Sequence, residues 1–316
     1  MGLDVVTVGD SVVDILIPVP RFPEGDEDSV PGERMERQLG GASNFLIQAS
    51  RLGLSVGIID CVGDDELGRF YMKGLESEGV DVSRIRIRAG LSTAHCIVLV
   101  DRRGRHAYIG FEGATRHLTP KEVDHEYVSG SRLLYISGYA VVDSPIREAA
   151  LRAVEIASES GIPIFFDPGP KLTVIPMETL NRFNSVSRMI LLNEREMDLM
   201  EDAASIGDAA RGLLRKGPEA IILKRGKAGC LICTGSGSME VPGYRVKAVD
   251  TTGAGDAFNA SFIYGYLRGW SLRKSAVLAN AVGAVKVTKM GAGTRVPTKE
   301  EVVRFLSTRQ IGLNDL

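Results

Sequence analysis

The chain has 316 residues, of which 44% are hydrophobic, so it is long enough to bury the core of one large domain. Its formal net charge is −2, so the chain lacks the excess of basic residues with which proteins bind nucleic acid or a membrane surface, and we expect neither partner. It has no apolar run of about 18 residues that could span a bilayer and no signal-like start, which predicts a cytoplasmic protein.

The first predicted strand, residues 3–9, is followed by two carboxylates, Asp10 and Asp14. Acids at this place suit a polar ligand at the carboxyl edge of a parallel sheet, although Asp after a strand is also a common turn residue. Prolines then divide residues 15–39 into short extended pieces, which predicts part of a separate small β element.

A glycine pair opens the first predicted helix, which Gly53 ends. Gly40 and Gly41 precede apolar side chains that recur on one helical face, and glycine at a helix entrance lets a ligand approach the backbone. Asn44 in this entrance is a candidate for the helix cap or, equally, for a hydrogen bond to a ligand hydroxyl.

Strands and helices alternate through the rest of the chain. A hairpin is predicted over residues 93–111, with its turn at 101–104. Further strands are predicted at 56–62, 133–137, 163–167, 189–192, 220–224 and around Cys230, and helices at 68–79, 145–160, 176–181, 194–200, 206–215, 257–267, 271–288 and 299–307. This alternation indicates an α/β fold, with a mostly parallel central sheet covered by helices on both faces.

Cys230 and Cys233 have the spacing of half a metal or redox site. They lie in a predicted strand, however, where residues three apart point to opposite faces, and no second pair supplies further ligands. We therefore interpret both thiols as small buried side chains.

The chemistry is concentrated in residues 250–258, with the sequence DTTGAGDAF. An apolar segment, 244–249, precedes them and a helix follows, so we predict a strand-to-helix joint. Its glycines and the unpaired N–H groups of the first helical turn favour an anion such as a phosphoryl group. Asp256 would repel that anion unless it takes a proton from an incoming hydroxyl as general base. The alternative is that Asp256 and Asp250 only cap the helix.

Two motifs resemble the signatures of the ribokinase-like (PfkB) carbohydrate kinases. One is GGASN at 40–44, which continues to Gly53, and the other is the motif at 250–258. Shorter matches, NERE at 193–196 and KRGKAG at 224–229, follow in the family's order, so the resemblance covers nearly the whole chain. It implies one ribokinase-like α/β domain over residues 1–316, with a small β-sheet lid formed by about 15–39 and 93–111.

The resemblance implies an ATP-dependent phosphotransferase that moves the γ-phosphate to a hydroxyl of a small sugar or sugar-like polyol. Asp256 would be the general base, and the amides of Gly253, Ala254 and Gly255 would form an anion hole. The acceptor would be held by Asp14, Gly40, Gly41 and Asn44. The nucleotide would be held by Asn193, Lys224, Gly226, Gly229 and Asn280.

The resemblance also implies metal ions. Glu196 would hold Mg²⁺, mainly through water, because this ion keeps much of its hydration shell. The alternative for Glu196 is an acid on the helix surface. Asp250 and Thr252 would hold a monovalent cation such as K⁺. The apolar face of the lid predicts a homodimer.

The acceptor stays open between two kinds of molecule. Ribose kinases usually carry Asn, Lys and an acid where this chain has Val12, Ala42 and Gly138, so strict ribose specificity is not expected. A nucleoside kinase of the same fold is the alternative, although an aromatic content of 6% offers few rings to stack on a base. ATP is the expected donor, while relatives in the wider superfamily use ADP.

Two other classes of protein fit less well. A dinucleotide-dependent oxidoreductase would need a third glycine after Gly253 and Gly255, and would carry the motif on its first strand. A non-catalytic sugar or nucleotide sensor would have no need of Asp256 as a base.

Overall fold

The structure, a computed structural model, describes residues 2–26 and 28–309. In chain order the strands are β1 (Val5–Val8), β2 (Ser11–Pro18), β3 (Glu36–Gly41), β4 (Val56–Gly63), β5 (Asp81–Arg88), β6 (Ala94–Val100), β7 (His106–Phe111), β8 (Leu134–Ser137), β9 (Ile164–Asp167), β10 (Met189–Asn193), β11 (Ala220–Lys224), β12 (Cys230–Thr234) and β13 (Gly237–Val241). The α-helices are α1 (Ser43–Leu52), α2 (Glu66–Ser77), α3 (His125–Ser129), α4 (Ile146–Glu159), α5 (Met177–Val186), α6 (Glu194–Met200), α7 (Ile206–Leu214), α8 (Ala254–Leu267), α9 (Leu272–Lys286) and α10 (Lys299–Ser307).

Within the described residues, nine strands form one large sheet in the order β13-β12-β11-β10-β9-β8-β1-β4-β5. Neighbours from β11 to β5 pair in parallel, while at one edge β12 pairs antiparallel with β11 and β13 pairs antiparallel with β12. The carboxyl ends of the parallel strands therefore meet at one edge of the sheet, where ligands bind in open α/β folds. The predicted mostly parallel sheet is confirmed.

Both faces of this sheet are covered by helices. Side chains alternate along each strand, so Val6 and Val8 enter one buried cluster with α4 to α7, while Val5 enters another with α1, α2, α8 and α9. Cys233 belongs to the first cluster and Cys230 to the second, as their spacing predicts. Burial raises the pKa of both thiols, in keeping with small core side chains.

A second, four-stranded sheet has the order β3-β2-β6-β7. Only Gly9 and Asp10 separate β1 from β2, so the chain passes directly from the large sheet into the small one. Asp10 has a φ of 72°, and it is the one non-glycine residue in the described ranges with a positive φ. The predicted hairpin is present as β6 and β7. The strands extend from Ser11 to Gly41, beyond both ends of the predicted lid segment 15–39.

Sequence reasoning was wrong about residues 244–249, which form no strand. Tyr244 packs on a helix instead, with its ring 5.3 Å from that of Phe305 in α10, while Ala248 and Val249 are exposed. The motif at 250–258 therefore stands at a loop-to-helix joint. The strands β5 and β13 were not identified from the sequence. A bulge in the pairing of β5 with β4 places the buried residues Val82 and Ile85 three positions apart. The alternation of buried and exposed residues that marks a strand is therefore not visible in the sequence.

No helix in residues 2–26 and 28–309 combines the length and apolarity required to cross a bilayer. The cytoplasmic location stays a prediction.

Candidate active site

The amino terminus of α8 presents unused backbone donors. Gly253 caps the helix with a φ of 72°, in the left-handed region that glycine tolerates, and no side chain caps it. Among the predicted hole amides, that of Ala254 donates to the carbonyl oxygen of Thr251 at 3.1 Å. The amides of Gly253 and Gly255, and also of Asp256, make no hydrogen bond to any described residue. These three amides and the helix dipole favour an anion.

Asp256 lies in the first turn of α8 but does not cap it, so the capping alternative fails. Its Oδ2 instead accepts a hydrogen bond of 3.2 Å from Nδ2 of Asn44, at the start of α1. Burial, followed by the charge of Asp167, raises the pKa of Asp256 to about 6. A carboxylate with this pKa is ionised at neutral pH and is still a stronger base than a solvated Asp.

Asn44 connects three parts of the site rather than capping α1. Its Oδ1 accepts from the amide of Gly293 at 2.7 Å, while Nδ2 reaches Asp256 and the carbonyl oxygen of Gly41. No side chain caps α1. A Cβ on Gly253 would lie 3.0 Å from the Asn44 amide, so glycine is required for this approach.

A group of acids occupies the junction of the two sheets. A Cβ on Gly40 would lie 2.6 Å from Oδ2 of Asp14, so these predicted site residues are in close contact. Burial raises the pKa of Asp14 to about 6. Burial and the neighbouring charges of Asp256 and Asp60 raise the pKa of Asp10 well above its usual value. Repulsion among these acids would be relieved by ligand hydroxyls, which donate hydrogen bonds.

Asp60 stabilises this junction through hydrogen bonds, and it was not predicted as a site residue. It is fully buried in β4, and its Oδ2 accepts from the amide of Ser11 at 2.7 Å. Its Oδ1 accepts from the hydroxyl of Thr115 at 2.7 Å, and that hydroxyl accepts from the amide of Asp10. This chain of bonds stabilises the positive φ at Asp10.

A cavity of about 450 Å³ opens between this junction and the small sheet. Asp10 and Val12 form one side, and rings of β7 and the loop after β8, Tyr108, Phe111 and Tyr139, form part of the rest. Neither Asp256 nor the predicted acceptor residues, Asp14, Gly40, Gly41 and Asn44, form part of the cavity wall. The charges of Asp256 and Asp14 act on Asp10, however, and Asp10 is part of the wall. The cavity therefore adjoins the base and is the candidate acceptor pocket.

Lys224 and Asp167 form a buried ion pair with Nζ 2.7 Å from Oδ2. The pair stands at the carboxyl ends of β11 and β9, and Asn259 of α8 also donates to Asp167. Burial alone would lower the pKa of Lys224, but Asp167 and Glu196 raise it above its usual value. A Cβ on Gly255 would lie 3.7 Å from Nζ, so the ammonium lies beside the unused amides.

Asp167 and Asn259 were not predicted as site residues. Asp167 ends a predicted strand and precedes Pro168, the same signal that drew attention to the acids after β1. Asn259 gave no signal, because its role depends on Lys224 and Asp167, which are far away in the sequence.

Asn193 and Glu196 form a reciprocal capping box at the start of α6. Oε2 and Oε1 of Glu196 accept from the backbone and side-chain nitrogens of Asn193 at 2.8 and 2.7 Å. Glu196 is 5% exposed, so it is not an acid on the helix surface. Burial and Asp167 raise its pKa. In the described ranges no three His, Cys, Asp or Glu side chains group to hold a metal, so Mg²⁺ here would need phosphate and water ligands.

The predicted nucleotide loop connects β11 to β12. Gly226 and Gly229 have φ values of 53° and 94°, and a Cβ on Gly229 would lie 2.1 Å from the carbonyl oxygen of Val241. Asn280 of α9 donates to the carbonyl oxygens of Val241 and Pro242, both at 3.1 Å. Asn280 therefore anchors the wall behind this loop.

The two residues predicted to bind a monovalent cation bind each other. Oδ1 of Asp250 accepts from the amide and the hydroxyl of Thr252 at 2.9 and 2.7 Å, and Oδ2 accepts from the amide of Gly291 at 2.8 Å. Burial alone would raise the pKa of Asp250, but these hydrogen bonds hold it below its usual value. The carboxylate shapes the loop that leads into α8.

Comparisons with known proteins agree with this geometry. A model of the pfkB family of carbohydrate kinases matches residues 3–299. A 5-dehydro-2-deoxygluconokinase from Shouchella clausii is 31% identical over 291 residues, covering 86% of this chain and 87% of that protein. An ATP-dependent ribose-1-phosphate kinase from Halopiger xanaduensis is 32% identical over 299 residues, covering 94% and 95%. A nucleoside kinase is also among the relatives.

An Escherichia coli protein assigned as a ribokinase II, solved in complex with ATP and Mg²⁺, has the same fold. It superimposes with a TM-score of 0.85 at 25% identity, and the match covers 97% of this chain and 99% of that one. The family model and the relatives both span nearly the whole chain, and the fold agrees along the same length. The chain therefore belongs to the pfkB family of carbohydrate kinases and is a kinase with the ribokinase fold.

Proposed function

We propose that this kinase transfers the γ-phosphate of ATP to a hydroxyl of a small sugar or sugar-like polyol, with Asp256 as general base. The observation that carries the proposal is the arrangement at the start of α8. A carboxylate with a pKa of about 6 lies beside the unused amides of Gly253 and Gly255. A base next to an anion site suits the deprotonation of an alcohol as it attacks a phosphoryl group.

In this mechanism Asp256 accepts the proton of the acceptor hydroxyl, whose oxygen attacks the γ-phosphorus while the bond to the leaving ADP breaks. The free amides and the ammonium of Lys224 stabilise the charge on the phosphoryl oxygens. General-base assistance contributes about 10² to 10⁴ in rate, and one well-placed donor about 3 to 4 kcal/mol. Alignment of the two substrates supplies much of the remainder.

ATP and Mg²⁺ are the proposed co-substrate and metal ion, as in the E. coli structure. The residues fit this proposal, because the buried carboxylate of Glu196 and the ammonium of Lys224 are charged groups that lie at the carboxyl ends of β10 and β11. When bound, Mg²⁺ neutralises phosphate charge. Glu196 would hold it through water, and Asn193 would orient Glu196. The loop with Gly226 and Gly229, backed by Asn280, would contact the nucleotide.

The acceptor would bind between the two sheets, with Asp14, Gly40, Gly41 and Asn44 around its hydroxyls. The relatives named above act on a deoxygluconate and on a ribose phosphate, which are sugar derivatives. A nucleoside is the second candidate, and a specific observation favours it. Three rings, Tyr108, Phe111 and Tyr139, line a cavity of about 450 Å³, so the low aromatic content of the whole chain no longer argues against a stacked base.

The small sheet is the proposed lid, which would close over the acceptor and exclude water. Its outer strand β7 exposes Tyr108 and Ile109 by 60% and 62%. Successive residues of a strand point to opposite faces, so each face of this edge strand carries an exposed apolar side chain. Such side chains on an edge strand favour pairing with a second copy, and we propose a homodimer through this lid.

The test is product formation from labelled ATP across a panel of sugars, sugar acids, polyols and nucleosides, with ADP as a second donor. Asp256→Asn is the matched control, because it keeps the shape and the hydrogen bond from Asn44. We expect phosphorylation of one chemical class and loss of most turnover in the variant, with nucleotide binding retained. Unchanged turnover in Asp256→Asn would remove the base assignment.

A further inference from the structure

The monovalent cation that the resemblance implies does not fit the residues at Asp250. Both carboxylate oxygens already accept hydrogen bonds from Thr252 and Gly291. The last helical residue of α9, Lys286, is 0% exposed, and its positive charge acts on Asp250. A K⁺ ion here would be repelled by that charge.

The backbone that follows Lys286 is hydrogen-bonded to the loop that leads into α8. The carbonyl oxygen of Val287 accepts from the amides of Val249 and Asp250 at 2.7 and 3.1 Å, and Gly291 donates to Asp250. The turn that follows α9 therefore wraps around the loop that leads into α8. The buried side chain of Lys286 reaches the carbonyl oxygen of Lys289 within this turn.

The ammonium is poorly solvated where it lies. Its Nζ makes one hydrogen bond in the described part of the chain, a long one of 3.4 Å to the carbonyl oxygen of Lys289. Burial lowers the pKa of Lys286, and the charge of Asp250 acts against this shift. A buried charge with so few partners is strongly unfavourable for folding, which indicates that the ammonium has a role beside the loop that leads into α8.

We propose that the ammonium of Lys286 takes the place of the monovalent cation, so that this kinase works without K⁺. A cation beside the loop that leads into α8 stabilises the ionised form of Asp250. It thereby fixes the turn that orients the amides of Gly253 and Gly255 toward the phosphoryl group. Because it is covalently attached, Lys286 is always present, whereas K⁺ must be bound from solution. Lys286 is thus a positioning residue, and the inference rests on the proposed phosphoryl transfer.

The test compares the wild type with Lys286→Ala and Lys286→Met in KCl, NH₄Cl and choline chloride at equal ionic strength. The Ala variant leaves room for an ion, while the Met variant fills the same space without charge. We expect wild-type rates that are equal in the three salts. We expect Lys286→Ala to lose about ten-fold or more in kcat in choline chloride and to recover in K⁺ or NH₄⁺, with Lys286→Met slow throughout.

The thermal midpoint gives a readout that does not depend on the substrate. K⁺ should raise the Tm of Lys286→Ala above its value in choline chloride, and should leave the wild type unchanged. Val282→Ala, a neutral truncation of a buried side chain in the same helix, should lower the Tm without any response to K⁺.

Saturable activation of the wild type by K⁺ would overturn the inference, whether or not the variants fold. Full activity of Lys286→Met in choline chloride would overturn it as well. If no acceptor is phosphorylated at all, the proposed function fails, and the ion-dependent Tm of Lys286→Ala still decides the inference by itself.

Discussion

Replacing Asp256 with Asn should make the protein more stable while it removes most of its activity. Burial raises the pKa of Asp256 from 3.8 to about 6, so the folded protein holds this proton more tightly than the unfolded chain does. Between these two pKa values the folded state binds more protons, and stability therefore falls as the pH rises through this window. Above about pH 6 the loss is complete and constant.

The size of the effect follows from the shift. About two pKa units correspond to about 3 kcal/mol, which solvent screening of a partly exposed group reduces to about 1 to 3 kcal/mol. For a chain of this length each kcal/mol moves the Tm by about 2 °C, so Asp256→Asn should melt about 2 to 6 °C higher at pH 8. At about pH 4.5 the gain should fall to about a third, because Asp256 is then mostly protonated.

The assay is calorimetric unfolding of the ligand-free protein at the two pH values. Asp250→Asn is a matched control of opposite sign: its pKa is lowered, so its charge stabilises the fold above the unfolded pKa, and the variant should melt lower at pH 8. A Tm of Asp256→Asn that is unchanged or lower at pH 8 would refute the reasoning, and so would a gain that is equal at both pH values.

Three further outcomes can be measured. The kcat/KM of the wild type should fall about ten-fold per pH unit below about pH 6, as Asp256 becomes protonated, and a flat profile down to pH 5 would contradict its role. Gly40→Ala should raise the KM for the acceptor by about ten-fold or more, because its Cβ would lie 2.6 Å from Asp14. Gly235→Ala is the control and should leave this KM unchanged, because its Cβ would have no atom within 4 Å; an equal KM in the two variants would refute the contact. Ile109→Glu should give a monomer in sedimentation velocity, and an unchanged sedimentation coefficient would count against the lid as the dimer interface.

The parts of this site that could be predicted are those that lie within one short stretch. The glycines and Asp256 fall within a single helix entrance, so local backbone chemistry is enough to mark them. Asp167 and Lys224 are 57 residues apart and meet only because β9 and β11 flank β10 in the sheet. No local pattern reveals such a pair.

The errors in the fold have similar causes. Residues 244–249 alternate like a strand, but Tyr244 packs on a helix and Val249 is exposed, so alternation alone does not show that a segment pairs with another strand. The strand β5 was hidden by its bulge and by its arginines, which are common in strands at the edge of a sheet. The parallel order of the central strands was predictable, because regular alternation of strand and helix admits few other arrangements.

The hydrogen bonds of Asn44 restrict which amino acid can occupy this position. Its oxygen is fixed by the amide of Gly293, so its nitrogen must face Asp256 and the side chain has only one orientation. Asp at this position would set two negative charges against each other, and Leu would leave the donor and the acceptor unmatched. The position requires one acceptor oxygen and an adjacent nitrogen that donates two hydrogen bonds on a one-carbon stem, and among the twenty amino acids Asn alone has this group.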